Sequence, residues 1–395
     1  MIWKDLINTY YRNEVQRKLK RMCMAITLKD VSTKKEYSDF IHIPEKIHQG
    51  HKDWLPPLYM DEKIFFDPKK NHSFKACDYR LILAYRDGIV VGRIMGIINH
   101  QYNEMMGVKN ARFGFIETYD DQEVVHALIS EIENWGREKG MNKIVGPFGF
   151  SDREPQGFLI EGFEYEPVID SACNFEYMPT LVEAEGYTKE LDCVIYRYPL
   201  SNPPPEVMYK IFDRITSRKD FQFLEFKSKG ELKPWIVPIL RAMNESFVNI
   251  YGFVPMSETE MQEMAKKYMP VIDLEFVSVV VKDGKVISFV ISMPNMYKGL
   301  QKAKGRLFPL GLFHILRALK TAKTVNLMIG AVIPEYQKQG LNIYLSISTI
   351  KAAIKRGMHS VDTHVVMEEN DDMSNEFKRY GAFLIKKFRV YQKEL

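Results

Sequence analysis

Asn326-Leu327-Met328-Ile329-Gly330-Ala331-Val332 runs into Ile333-Pro334-Glu335-Tyr336-Gln337-Lys338-Gln339-Gly340-Leu341-Asn342, and this junction decides the fold. The first seven residues form an apolar run of strand length. Ile343, Ile347, Ile350 and Ile354 then recur at helical spacing, one apolar face of a helix. Between strand and helix lies a short polar turn that ends in glycine. A glycine opening a helix lets backbone N–H groups close on a phosphate, and the helix dipole adds positive potential there. Lys338 adds charge to the same turn.

The surroundings of this junction recur earlier in the chain. Leu81 to Ile97 reads as strand, Asp87-Gly88 turn, strand, and Phe276 to Met293 reads the same way around Asp283-Gly284. The two turns lie 196 residues apart (87 to 283). Each half then has a helix ending in a basic turn and Gly-Met, at Gly140-Met141 and Gly357-Met358, followed by a strand. Each closes with helix, glycine, strand: Leu181 to Gly186 then Cys193 to Tyr198, and Phe377 to Gly381 then Phe383 to Tyr391. The proline series Pro199 to Pro205 can neither continue a helix nor sit in a central strand, so it reads as the linker between halves. The organisation expected is an N-terminal amphipathic extension over 1–24, one unit over 25–198 and a second over 206–395. The halves differ at the decisive turn. Seventeen residues before Gly140, as Gly340 is seventeen before Gly357, the first half reads Asp120-Asp121-Gln122-Glu123. Three carboxylates and no glycine would repel a pyrophosphate.

Hairpin, strand, turn, long helix, strand, helix, strand resembles the unit of the Gcn5-related N-acetyltransferases (GNAT). The turn is similar to that family's acyl-CoA loop, Arg/Gln-x-x-Gly-x-Gly/Ala: Gln337 and Gly340 match, and Asn342 stands where Gly or Ala is usual. Over nearly its whole length the chain also resembles a bacterial family of tandem GNAT-like acyltransferases. That likeness rests on Trp54-Leu55-Pro56-Pro57-Leu58, Gly146-Pro147 with Glu161-Gly162-Phe163, Tyr251-Gly252-Phe253-Val254-Pro255 and Lys304-Gly305-Arg306-Leu307-Phe308-Pro309. The resemblance implies an α/β fold with a mixed sheet, built as two tandem GNAT-like acyl-CoA N-acyltransferase units. It implies acetyl-CoA or a longer acyl-CoA as co-substrate, without a metal. The co-substrate would be held by Val332, Ile333, Gln337, Lys338, Gln339, Gly340, Leu341, Asn342, Asn370 and Phe377. The acyl group would pass to a small-molecule or lipid amine; Asn244, Glu245 and Tyr251 lie where such folds cover the acceptor.

GNAT chemistry is attack of an amine on a thioester, driven mostly by positioning with some acid–base help. The family's thiolate acid is a tyrosine in Asn-x6-Tyr-x3-Gly-Phe. Here the register reads Asn370, Phe377, Gly381, Ala382, with Tyr380 one helical step further on. Either Tyr380 substitutes, or water protonates the thiolate, or the unit is not a thioester enzyme. For the base, Asp362 and His364 share a face of the strand Ser360 to Met367 by its two-residue period, and Glu368 and Glu369 end it. His364 and Glu369 are the candidates. Two alternatives stand beside acetyl transfer: long-chain N-acylation of a lipid or sphingoid amine, and a catalytically silent GNAT-like binding or scaffold protein. Fem-type aminoacyl transfer is least favoured, so the group moved is expected to be other than aminoacyl.

Composition bounds the rest. The 395 residues are 46% hydrophobic and 27% charged, ordinary for folded proteins, and a net charge of +4 argues against a nucleic-acid partner. Cys23, Cys77, Cys173 and Cys193 form no Cys-x-x-Cys pair, and His48 and His51 read as loop histidines without a carboxylate partner. No apolar run approaches the roughly 20 residues that span a bilayer, and no signal-peptide pattern opens the chain. Trp3, Leu6, Ile7, Tyr10, Tyr11, Val15 and Leu19 read as an amphipathic helix among Lys and Arg. A second basic–apolar segment surrounds Leu312, Phe313, Ile315, Leu316 and Leu319 with Lys298, Lys302, Lys304, Arg306, Arg317, Lys320 and Lys323. The ordinary reading of that segment is a core helix with a solvated basic face. The alternative is that it grips the anionic CoA moiety or a lipid headgroup, with its apolar residues beside an acyl chain. The expected location is cytoplasmic, with a peripheral membrane contact through the N-terminal helix as the alternative.

Overall fold

A computed structural model describes residues 25–370, 377, 378 and 380–395. The amphipathic extension expected over 1–24 therefore lies outside the described residues, as does Arg379 within the helix expected over Phe377 to Gly381. The first half runs β1 (Ile26–Asp30), α1 (Lys34–Ile47), α2 (Tyr59–Phe65), β2 (Cys77–Arg86), β3 (Ile89–Asn99), α3 (His100–Met106), β4 (Asn110–Thr118), α4 (Gln122–Glu138), β5 (Lys143–Gly146), β6 (Phe158–Glu161), α5 (Tyr177–Ala184) and β7 (Thr188–Pro199). The second runs α6 (Glu206–Thr216), β8 (Gln222–Leu224), α7 (Lys229–Ser246), α8 (Glu258–Tyr268), β9 (Val277–Lys282), β10 (Lys285–Pro294), α9 (Tyr297–Ala303) and α10 (Gly311–Thr321). It ends with β11 (Thr324–Val332), α11 (Leu341–Lys355), β12 (Ser360–Asp362), β13 (Val366–Met367) and β14 (Phe383–Glu394).

The hairpin turns form as their sequence demands. Asp87 and Gly88 have φ of 52° and 74°, and Asp283 and Gly284 have 50° and 77°, so both centres are left-handed in each turn. The strands they join pair antiparallel, β2 with β3 and β9 with β10. In α4, Val124, Val125, Leu128, Ile129 and Ile132 are fully buried at helical spacing against β3 and β4. Each such side chain contributes roughly 1.5–3 kcal/mol of burial. In α11, Ile343, Ile347 and Ile350 are buried on the expected face, whereas Ile354 is half exposed near the helix end.

The sheet is mixed and continuous through both halves. Its order is β1-β2-β3-β4-β5-β14-β7-β12-β11-β10-β9-β8, with β6 beside β14 and β13 beside β7. The order reads alike from either edge, β8 to β12 mirroring β1 to β5. The last strand of each half crosses to the other. Tyr391 to Glu394 of β14 pair with Gly146 to Lys143 of β5, while Tyr198 and Arg197 of β7 pair with Val361 and Asp362 of β12. The two exchanged strands pair with each other at the centre, Phe383 opposite Arg197 through Gln392 opposite Thr188. The Pro203–Pro205 linker thus marks a boundary in sequence but not a break in the sheet.

Candidate active site

β11 and β12 are parallel neighbours for three residues only, Thr324 to Asn326 against Ser360 to Asp362. Beyond Asn326, β11 remains bonded to β10 as far as Val332. After Asp362 the chain turns the other way: the Thr363 N–H donates to the Tyr196 carbonyl at 2.8 Å, and the Thr363 hydroxyl accepts from Tyr196 N–H at 3.0 Å. The two strands therefore splay apart. A skipped residue at Met328, where Ile291 faces Ile329 and Ser292 faces Leu327, bends β11 at the same level. On the α11 side, Leu327, Ser346, Thr349, Thr363, Phe377 and Tyr380 help line a cavity of about 60 Å³ in the splay.

The turn between β11 and α11 follows directly on the strand that forms one side of the splay. Ile333 N–H bonds Ile287 carbonyl, and the Gln337 amide donates to Val332 carbonyl at 3.3 Å. Lys338 is held at φ 60° and exposed. Gly340 takes the N-cap of α11 with φ 91°, and no described side chain caps the helix. A Cβ on Gly340 would lie 2.9 Å from Ile211 Cγ2 of α6, so glycine is required both by conformation and by the close approach. Leu341 anchors the turn in the core, and Asn342 faces out. Arg218, at the end of α6, donates to Gln339 Oε1 at 3.3 Å and lies 3.8 Å over the Phe221 ring. It reaches the turn from more than a hundred residues away, but its guanidinium is paired two-fold with Asp220, at 3.0 and 2.6 Å, so it adds an ion pair to the turn. Nothing in the local pattern signalled it.

Across the sheet from this cavity the polar groups are buried. Asp362 is fully buried and paired two-fold with Arg197, Nε to Oδ1 at 2.7 Å and Nη2 to Oδ2 at 2.8 Å. That pairing raises the Arg197 pKa above its ordinary value. Asn326, beside Asp362 in register and opposite Met293, is fully buried with neither amide atom hydrogen-bonded. A buried amide with no partner costs about 1–3 kcal/mol, so such groups call for a ligand or a water. Lys386 of β14 is also buried, donating to Gly162 and Tyr165 carbonyls at 2.8 and 2.9 Å, and burial lowers its pKa. The alternation along an irregular strand hid both residues from sequence reading.

His364 corrects an expectation. Asp362 faces Arg197 and Val366 faces Val194, so four steps along one strand match three along β7. This bulge breaks the two-residue period, and His364 does not follow from Asp362 by alternation. Its Nδ1 is sealed from solvent without a partner, and the residue as a whole is half-buried. Burial lowers its pKa to about 4, so the imidazole is neutral near pH 7. Glu369 stands exposed in the turn after β13, and Asn370 N–H bonds Met367 carbonyl in the same turn. Phe377 and Tyr380 both line the cavity, Phe377 with its ring 5.8 Å from that of Tyr196.

The three expected acceptor contacts are placed in structural ties. Asn244 spends its amide on Met256, donating to the carbonyl at 2.9 Å and accepting from the N–H at 3.1 Å. Glu245 is an exposed partner of Lys285. The Tyr251 hydroxyl donates to Glu190 at 3.1 Å, with its ring against Phe148. The histidines at 48 and 51 also differ from expectation: His48 is buried and its Nε2 lies 3.0 Å from Glu117 Oε2, a carboxylate 69 residues away. Trp54 and Phe175 stack on its ring. Among the described residues no group of three His, Cys, Asp or Glu side chains is placed to hold a metal.

No family model matches the sequence. Among curated proteins the chain is similar to the bacterial ceramide synthase of Caulobacter vibrioides, 28% identical over 373 residues, covering 92% of this chain and 96% of the relative. It is likewise similar to Protein YghO of Escherichia coli, 26% identical over 92% of this chain and 94% of the relative. Among solved structures, the tandem GNAT protein from the clavulanic acid biosynthesis pathway superimposes with a TM-score of 0.54. It is 9% identical, with 94% of this chain and 98% of that one covered. A GCN5-related glucosamine N-acetyltransferase region of a fungal multi-domain β-N-acetylglucosaminidase also gives 0.54, at 12% identity, covering 94% of this chain and 38% of that one. The chain has the tandem GNAT fold.

Proposed function

We propose that this protein is an acyl-CoA-dependent N-acyltransferase whose second half binds the acyl donor and whose acceptor is a lipid amine. One observation carries the reading: β11 and β12 part after Asn326 and Asp362, and β11 leads through a glycine turn into α11, whose N-cap is Gly340. Backbone N–H groups of that turn would receive the pyrophosphate, with Lys338 supplying charge. The pantetheine arm would follow the cavity lined by Leu327, Thr363 and Tyr380.

In the reaction the amine nitrogen bonds the thioester carbon, the C–S bond breaks, and the nitrogen loses a proton while the thiolate gains one. Tyr380, at the cavity, is the proposed donor to the thiolate. His364 is proposed to orient the amine as a neutral hydrogen-bond acceptor; a pKa of about 4 makes it a weak base. Asn326 has both a donor and an acceptor to offer an amine or hydroxyl beside the reacting centre. The lipid acceptor is supported by the relative described as a bacterial ceramide synthase and by the apolar side chains around Met293 and Met328. Acetyl transfer to a small amine is the alternative, and the chain length of the acyl-CoA separates the two.

Calorimetric titration of the full chain with acetyl-CoA and palmitoyl-CoA tests the first part. Binding of one acyl-CoA per chain, lost in Gly340→Trp, is expected; a folded wild type that binds neither would overturn it. Incubation with a long-chain acyl-CoA and a sphingoid amine, read by mass spectrometry, tests the acceptor class.

A further inference from the structure

The helix pair α9–α10 is inserted between β10 and β11. Its inner side is apolar: Met293, Met296, Ala303, Ile315 and Ala318 form one buried cluster, with Met328 of the bent strand packed against it. Its outer side is apolar as well. Phe308 is 71% exposed, Leu310 63%, Phe313 58% and Leu316 49%. Leu312 is exposed too, and although single exposed apolar residues are ordinary, five within nine residues of one helix and its leading loop form a patch. The core helix with a solvated basic face expected from sequence is therefore not what forms. The helix buries one apolar stripe and turns another outward.

The charges within the inserted segment are of one sign, although Arg306 is paired with Glu45 and Lys298 with Glu166 from the first half. Residues 284–334 contain no Asp or Glu and eight Lys or Arg. Lys302, Lys304 and Arg306 precede the exposed apolar run, Arg317, Lys320 and Lys323 follow it, and all six are exposed. An apolar centre with a cationic rim fits a surface that offers hydrocarbon beneath a layer of phosphate. A second copy of the chain would meet this face with cation against cation.

We propose that this face docks the protein on an anionic bilayer, with Phe308, Leu310, Phe313 and Leu316 entering the boundary between headgroups and acyl chains. The cationic rim then meets lipid phosphates, and the inner cluster with Met328 lies between the bilayer and the splayed strands. The proposal concerns adsorption alone, and it stands whether or not the chain transfers acyl groups.

Vesicle sedimentation of the full chain tests it, using phosphatidylcholine alone and an equal mixture with phosphatidylglycerol. The wild type should sediment with the mixture and be released by salt. The double variant Phe308→Glu/Phe313→Glu should lose about tenfold in partitioning, and Arg317→Glu/Lys320→Glu should lose the preference for the anionic mixture. Because a double variant could misfold, Phe313→Trp supplies an independent reading: its emission, taken as a difference from the wild type, should shift to the blue on adding the mixture. The proposal is overturned by a wild type that stays in the supernatant, or by equal sedimentation with pure phosphatidylcholine. It is equally overturned by a Phe308→Glu/Phe313→Glu protein that sediments like the wild type, by a Phe313→Trp difference emission that vesicles leave unchanged, or by self-association in ultracentrifugation that the double variant abolishes.

Discussion

Val145 and Asp362 occupy matching steps of the two halves, each the third residue of a short parallel pairing, with Arg112 and Asn326 beside them. The chain leaves them in opposite directions. After Val145 it stays with its neighbour: Phe148 N–H bonds Phe113 carbonyl on β4 at 2.8 Å, and the Phe148 side chain is buried over the place where a splay would open. Arg112 secures this plug, donating to Gly149 and Phe150 carbonyls while its guanidinium lies 4.7 Å over the Phe148 ring. After Asp362 the chain crosses to β7, and Asn326 is left without partners. The helices that follow β4 and β11 differ in the same sense. Asp121 caps α4 through Val124 N–H, and Arg86 binds Asp121 and Glu123, so that helix end is occupied by the protein's own carboxylates. The N-cap of α11 is Gly340, which has no side chain to play that part. One fold, repeated, has a closed copy and an open copy.

The strongest challenge to this contrast is to remove the plug. Phe148→Ala should lower stability by about 3–5 kcal/mol, as for any buried phenylalanine, without creating a second acyl-CoA site. Urea unfolding gives the first quantity and titration stoichiometry the second; two sites per chain would mean that the plug alone separates the halves. Gly340→Trp should weaken acyl-CoA binding by roughly a hundredfold, since its side chain would press on Ile211 and Ile215 of α6 and displace the turn where phosphate would lie. Thermal melts of the variant check that α6 still packs beside it.

Acidity sharpens the contrast at a third position. His364 is held neutral in the fold, with a pKa near 4 against an ordinary value of 6.5. A histidine whose folded pKa is depressed contributes its full share of stability above about pH 6.5 and loses it as the pH falls toward 4, because only the unfolded chain takes up the proton. The loss should approach about 3 kcal/mol by pH 4. Urea midpoints at pH 7.5 and 5 should show less of this fall in His364→Gln than in the wild type. The smallest expected change is at the closed copy: Asp121→Ala should cost about 1 kcal/mol of stability through the lost cap and leave acyl-CoA binding unaltered.

Local chemistry made much of the fold legible. Asp87-Gly88 and Asp283-Gly284 specify tight turns by backbone conformation alone, and Gly140, Gly186, Gly357 and Gly381 all take the left-handed geometry that ends a helix. Gly340 was legible for the same reason, as was the absence of a comparable turn at Asp120 to Glu123. The strand exchange was not. Two similar strands, Cys193 to Tyr198 and Phe383 to Tyr391, carry no local mark of which half each will join, since pairing is decided between residues hundreds apart. The bulge at His364, the plug at Phe148 and the partnerless amide of Asn326 were hidden likewise. Each depends on what a distant segment places opposite. For α10, amphipathic spacing identified the helix but could not say which apolar stripe would be covered.

The exchanged strands also bear on how the chain is made. β5 ends at Gly146, and its neighbour β14 begins only at Phe383. At roughly 5–20 residues per second, the ribosome needs some tens of seconds to deliver the second after the first. Through that interval β5 is an unpaired edge, the kind of surface that invites association with other chains. The earlier half cannot be finished before the later one is synthesised, so a protein that looks in sequence like two successive folding events matures as one.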